Sequence, residues 1–247
     1  MSMSKKSQFR IILEGFGKSC EESIKKCGSE SDTLRVFILD SAEVFNQLLR
    51  PQKYSLTLID LRIKELYELV VHILYLSLSG LYRNVFHNIR YILESAVQSV
   101  YIDSRHSNCS LRTKIEILRE VEDKRDYRVL NLIAKLENLG YKDDLTKEYK
   151  HLSQIIHPSH RSVIELVSSI QEHTDSTFPF PPISCKEISN VFESLKMTFD
   201  MVLFLYIWCA SESKKEQTLK KPELIEYCNK YNMVLLSKIL KVKIKAK

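Results

Sequence analysis

The chain has 247 residues, 44% hydrophobic and 28% charged, with a net charge of +6. That composition excludes collagen-like, low-complexity and disulfide-scaffold classes and leaves apolar material for one large core or two small ones. With only 5 Gly and 6 Pro, the turn residues that a strand-rich fold needs are scarce, which predicts long helices.

From Ser7 to about Cys27, Phe9, Ile12, Leu13, Phe16 and Ile24 recur at helical spacing, with Gly28 as the stop. Ser31 or Asp32 is placed to cap a second helix, which Pro51 ends near Arg50. A third helix opens at Ser55, where Ile59, Ile63, Leu66, Val70 and Ile73 follow a helix-packing seam. Leu69–Leu78 is apolar nearly all round, so His72 within it reads as a buried core histidine. After Ser79-Gly80 a fourth helix spans about Leu81 to Asp103. Ser110 caps a fifth that ends at Leu139-Gly140, and its charge-rich stretch Arg112–Arg128 reads as a solvated face. Helices over Asp143–Ile156 and Ser159–Glu172 flank Pro158. Residues 173–184, with Pro179, Pro181 and Pro182, form a linker. Ser184-x-x-Glu187 is a capping box opening a long helix with Trp208, and a last helix runs from Pro222 to about Val242.

The expected fold is therefore all-α, a bundle of about eight or nine helices. Residues 1–172 are the main bundle and 173–184 the Pro-rich linker. Residues 185–247 are C-terminal helices that pack on the bundle or form a homodimer interface. The longest apolar run, Met201–Ala210, is too short to cross a bilayer, and the polar start predicts no secretory signal. The cysteines at 20, 27, 109, 185, 209 and 228 lack metal-site spacing and read as reduced thiols of a cytoplasmic protein. A disulfide fits if the host is a hyperthermophile. No Gly-rich phosphate loop, nucleophile elbow or zinc helix is present, and neither a cofactor nor a metal is expected.

The positive charge is concentrated. Residues 214–247 carry a surplus of +7 and the preceding residues −1, with Lys238, Lys241, Lys243, Lys245 and Lys247 crowding the end. Val242, Ile244 and Ala246 alternate with those lysines, which suggests a frayed tail or a strand-like arm. Such an end suits phosphate contact with RNA or DNA, and no hydrophobic anchor beside it argues for a membrane. Arg83, His87, Arg90 and Glu94 share one face of the fourth helix. Arg90 is a further phosphate donor in this reading, or an ion-pair partner of Glu94. Glu148-x-x-His151 has the spacing of half a di-iron site, but no second such motif completes it.

Arg90-x-x-x-Glu94, then Tyr101-Ile102, and later Leu152-Ser153-x-x-x-His157-Pro158-Ser159 resembles a group of uncharacterised prokaryotic all-α proteins with similarity to HEPN domains. The resemblance covers about residues 60 to 170. It implies a HEPN-like core in which Arg90 and Glu94 face His157 as a polar network. In HEPN ribonucleases an Arg and a following His act, without metal, on the RNA 2′-OH and scissile phosphate at a dimer interface. The resemblance offers Arg83 and His87 for those roles, although Arg83-Asn84-Val85-Phe86-His87 leaves fewer residues between the two than that pattern has. The leading expectation is a non-enzymatic nucleic-acid-associated protein. A HEPN-like ribonuclease of toxin or defence type and a helical protein-interaction scaffold are the alternatives.

Overall fold

The structure, a computed structural model, describes residues 14, 17, 18, 21, 22, 24–49, 57–122, 128–137, 139–156 and 183–245, with backbone alone at 49, 121, 122 and 241–245. His157 and the expected helix and linker at 159–184 thus lie outside the described residues, apart from Ile183 and Ser184. Among the described residues the chain is helical and contains no strand. The helices are α1 (Gly28–Leu49), α2 (Leu58–Leu78), α3 (Tyr82–Arg105), α4 (Leu111–Glu122), α5 (Val129–Lys135), α6 (Lys142–Ile156), α7 (Cys185–Cys209), α8 (Glu212–Leu219), α9 (Pro222–Tyr231) and α10 (Val234–Lys245).

Four helices make the centre. The chain reverses between α2 and α3 at Gly80, whose φ of 74° lies in the left-handed region that glycine enters without steric penalty. Consequently the start of α2 lies beside the end of α3, where Asp103 accepts the Leu58 and Ile59 backbone N–H groups at 3.2 and 3.0 Å. The starts of α3 and α7 are adjacent, since the Ser184 N–H donates to Tyr82 Oη at 3.0 Å. Those of α1 and α7 are also adjacent, through a Cys27–Cys185 disulfide. Therefore α1, α3 and α7 run in one direction and α2 in the other.

Packing follows the periodicity. Ile59, Ile63, Leu66, Val70 and Ile73 of α2 are all within 2% of complete burial. In α7 the run Phe199–Ile207 is buried, so this stretch fills the core of the chain itself. Phe37 of α1 packs on Phe192 and Phe199 with ring centroids 5.2 and 5.6 Å apart, and Phe45 reaches Phe199 at 5.2 Å. Burying each such ring contributes about 2–3 kcal/mol. Tyr227 of α9 joins this cluster, 4% exposed and hydrogen-bonded to Ser41 Oγ at 2.7 Å.

Several expectations are corrected. His72 is exposed, because it falls on the side of α2 opposite the seam. The fifth expected helix is two, α4 and α5, and Leu136 rather than Gly140 follows the second. The last expected helix is also two, because Asn232 adopts φ 51° and closes α9. The lysine-rich end is neither frayed nor strand-like as far as Lys245: it is α10. Cys27 and Cys185 are oxidised rather than reduced, and Cys109, Cys209 and Cys228 are free.

Candidate functional site

Helix α3 presents its polar residues in two groups. Arg83, Asn84 and His87 are exposed, one helical turn separating Arg83 from His87. Arg90 and Glu94 turn towards α6 and are half-buried. There the Arg90 Nε donates to Glu94 Oε1 at 3.0 Å, and Nη2 lies 2.9 Å from the same oxygen as an ion pair. Arg90 Nη2 also donates to Tyr149 Oη at 2.8 Å, and the Tyr149 hydroxyl donates to the same Glu94 oxygen at 2.8 Å. The guanidinium carbon lies 5.0 Å from the Tyr149 ring centroid. Burial opposes the charge on Arg90, but the Glu94 carboxylate and Tyr149 outweigh it and raise its pKa. Burial, then the Glu94 hydrogen bond, raises that of Tyr149.

The structure thus brings the Arg90/Glu94 pair of α3 to Tyr149, near the middle of α6. Tyr149 supplies the contact, a residue the sequence reading passed over. Its only sequence signal is its place one turn before Ser153, whose Oγ donates to the Tyr149 carbonyl at 2.7 Å. Arg90 offers a phosphate only the donors that Glu94 and Tyr149 leave.

A second cluster of the same composition stands on the other flank of α3. Arg62 Nη1 of α2 donates to Glu65 Oε2 at 2.7 Å, and the Tyr91 hydroxyl of α3 donates to Glu65 Oε1 at 2.6 Å. The exposed strip with Arg83 and His87 therefore lies on a helix that is pinned on one side to α2 and on the other to α6.

At the far end of the bundle lies a set of buried charges that sequence reasoning missed. Asp60 Oδ1 receives Lys214 Nζ at 2.6 Å, and Asp103 Oδ1 receives Lys114 Nζ at 2.9 Å, every side chain being 8% exposed or less. Lys114 is thereby removed from the face of α4 that was expected to be solvated. Asp60 Oδ2 also accepts the Thr57 N–H and hydroxyl at 2.9 and 2.8 Å. Lys214 Nζ lies 4.7 Å from the Tyr206 ring centroid. Cys209 senses all four charges, but burial dominates and pushes its thiol up to about 12. A thiol so protonated is not a nucleophile. The set holds the ends of α2, α3, α4, α7 and α8 together as a satisfied network.

The C-terminal lysines divide. Besides Lys214, Lys215 pairs with Glu212 at 2.9 Å, Lys220 with Glu216 at 2.8 Å and Lys230 with Asp40 at 2.6 Å. Lys221 donates to the Gln47 carbonyl. Much of the sequence surplus is thus engaged within the fold. On α10, the exposed Lys238 lies 4.6 Å over the Tyr141 ring centroid, and Tyr141 itself packs on Phe204 at 5.4 Å. Positions 238, 241 and 245 recur at helical spacing on one side of α10, whose sequence holds no acidic residue. Lys247 lies outside the described residues.

What fixes α10 is apolar and electrostatic together. Leu235, Leu236 and Leu240 are buried. Asp200 of α7 accepts the Leu235 and Leu236 N–H groups at 2.8 and 3.0 Å, a carboxylate at a helix N-terminus. Burial raises the Asp200 pKa against these bonds.

On α6, Glu148 is 2% exposed and its Oε1 has no hydrogen-bond partner. Burial raises its pKa to about 7. His151, one turn on, is exposed whereas Glu148 is buried, and no group of three or more potential metal ligands is found among the described residues. No family model, curated protein or solved structure matches this chain.

Proposed function

We propose that the chain is a non-enzymatic helical protein that associates with nucleic acid and meets phosphate with α10. The observation that supports this most is the content and anchoring of that helix. Lys238, Lys241, Lys243 and Lys245 lie on a helix whose own sequence holds no acidic residue, with Asp200 of α7 the acidic group whose charge Lys238 feels, while Lys214, Lys215, Lys220 and Lys230 pair with carboxylates at 2.6–2.9 Å. The start of this helix is seated on the core by Asp200 and three leucines, and its backbone is helical as far as Lys245, so positions 238, 241, 243 and 245 belong to one helix rather than to an extended tail. A helix loses less entropy on binding than a loose tail.

Each duplex phosphate neutralised contributes about −0.9 to the slope of log affinity against log salt, and about −0.7 on single strands. Three contacts from α10 give a slope of about −2 to −3. Fluorescence anisotropy with RNA and DNA oligonucleotides across a salt series measures it. The triple change Lys241→Gln, Lys243→Gln, Lys245→Gln is expected to flatten the slope and weaken binding to all sequences alike. Unchanged binding and slope in that variant would overturn the reading.

One observation favours a second reading, a HEPN-like metal-independent ribonuclease: Arg83 and His87 are both exposed and stand one turn apart on the same helix. Such a pair can present a guanidinium to phosphate and an imidazole to a 2′-OH proton. RNA cleavage in chelator that disappears in His87→Ala would put this reading first. Intact RNA with the wild-type chain would remove it.

A further inference from the structure

The outer face of α2 carries a stripe of exposed apolar residues that no helix among the described residues covers. Tyr67, Val71 and Tyr75 are 45%, 49% and 56% exposed, although the buried seam of the same helix is solvent-free. They are four residues apart and form one ridge along the helix. Leu39 of the neighbouring α1 is 60% exposed. Exposed apolar residues clustered on one face mark an interaction surface more often than residues scattered singly.

The stripe is a palindrome. Tyr-x-x-x-Val-x-x-x-Tyr reads alike in both directions. A two-fold axis through Val71 therefore sets Tyr67 of one copy beside Tyr75 of the other, and Val71 on Val71. This is the self-matching that an isologous interface requires. Two such ridges interdigitate when antiparallel helices cross at about −50°.

The charges agree with this occupant. Exposed Glu68 and His72 lie on the flank of the stripe that faces α3, where Glu65 of α2 meets Tyr91 of α3. The two-fold operation lays that flank against its own copy and brings Glu68 opposite His72 of the second chain, an acceptor opposite a donor. A polyanion would instead meet the carboxylates of Glu65 and Glu68. We propose that two copies of this chain pair through the outer face of α2, antiparallel, about a two-fold axis at Val71.

Sedimentation equilibrium at high micromolar concentration tests this with the full chain. The wild type is expected at twice the 28.9 kDa chain mass. Val71→Glu and Val71→Lys, each placing like charges on the axis, are expected at monomer mass. Helicity should be unchanged, because the side chain is half exposed, and the thermal midpoint of each variant should match that of the wild type at a dilution where it too is monomeric. An equimolar mixture of the two variants is expected to regain dimer mass, since only an axis at this residue pairs Glu with Lys. A monomeric wild type, a dimer that survives Val71→Glu, or a mixture that stays monomeric overturns the proposal.

Discussion

Replacing Glu148 with glutamine is expected to stabilise the protein at alkaline pH and to change little in acid. The side chain is buried among Leu145 and Leu152 on the inner face of α6, with Oε1 unpartnered. In the unfolded chain its carboxyl titrates near the ordinary 4.5, and in the fold near 7. Because the folded pKa is the higher one, folding binds a proton between these values. The associated stability is full below about pH 4.5 and is lost as pH rises through about 7. At about 1.4 kcal/mol per unit, the wild type loses about 2–3 kcal/mol between pH 5 and 8 through this group. In a chain of this size that corresponds to about 5–10 °C in thermal midpoint. Glutamine keeps the shape and the neutral polarity of the protonated acid without titrating. The assay is urea unfolding of both proteins by far-UV circular dichroism at several pH values, and the quantity of interest is the difference between them. Their stabilities should converge below about pH 4.5, diverge with a midpoint halfway between the two values, at about pH 5.8, and keep a constant difference above about pH 8. A difference that is flat across this range would refute the reasoning, because no buried carboxyl would then be exchanging its proton.

Two further outcomes follow from the ends of the bundle. Lys214→Met leaves Asp60 buried without its counter-ion and is expected to cost about 3–5 kcal/mol in urea unfolding; the double change Asp60→Leu, Lys214→Met should recover much of this. Cys185→Ser opens the link between the starts of α1 and α7, across a sequence separation of 158 residues. It is expected to lower stability by about 2–5 kcal/mol, matching the effect of reductant on the wild type, and Cys228→Ser should not reproduce it.

The sequence was most readable where the cause of structure is local. Ser184 does cap its helix, accepting the Glu187 N–H at 3.3 Å, and the α2 seam is buried at every position its spacing named. Arg90 and Glu94 form the ion pair that a four-residue spacing suggests. What stayed hidden depends on partners distant in the chain. Lys214 and Asp60 are 154 residues apart, and nothing in either neighbourhood separates them from surface charges. The same holds for Cys27 and Cys185. His72 was misassigned because an apolar run on all sides of a helix hides which side faces water. The alternation in Val242–Ala246 suggested an arm, yet Asp200 and the leucines of α10 carry the helix on as far as Lys245. Tyr149 escaped because a tyrosine on an amphipathic helix looks the same from sequence whether it packs or bridges.

The opposed direction of α2 gives the molecule two unlike poles. At one, where α1, α3 and α7 begin, a covalent sulfur link fastens the helices. At the other, ionic latches between aspartates and lysines do so. Reductants act on the first pole and leave the second shut; a chaotrope that hydrates charges acts on the second and leaves the first tied. Amide exchange under each agent should accordingly open opposite extremities of the same helices.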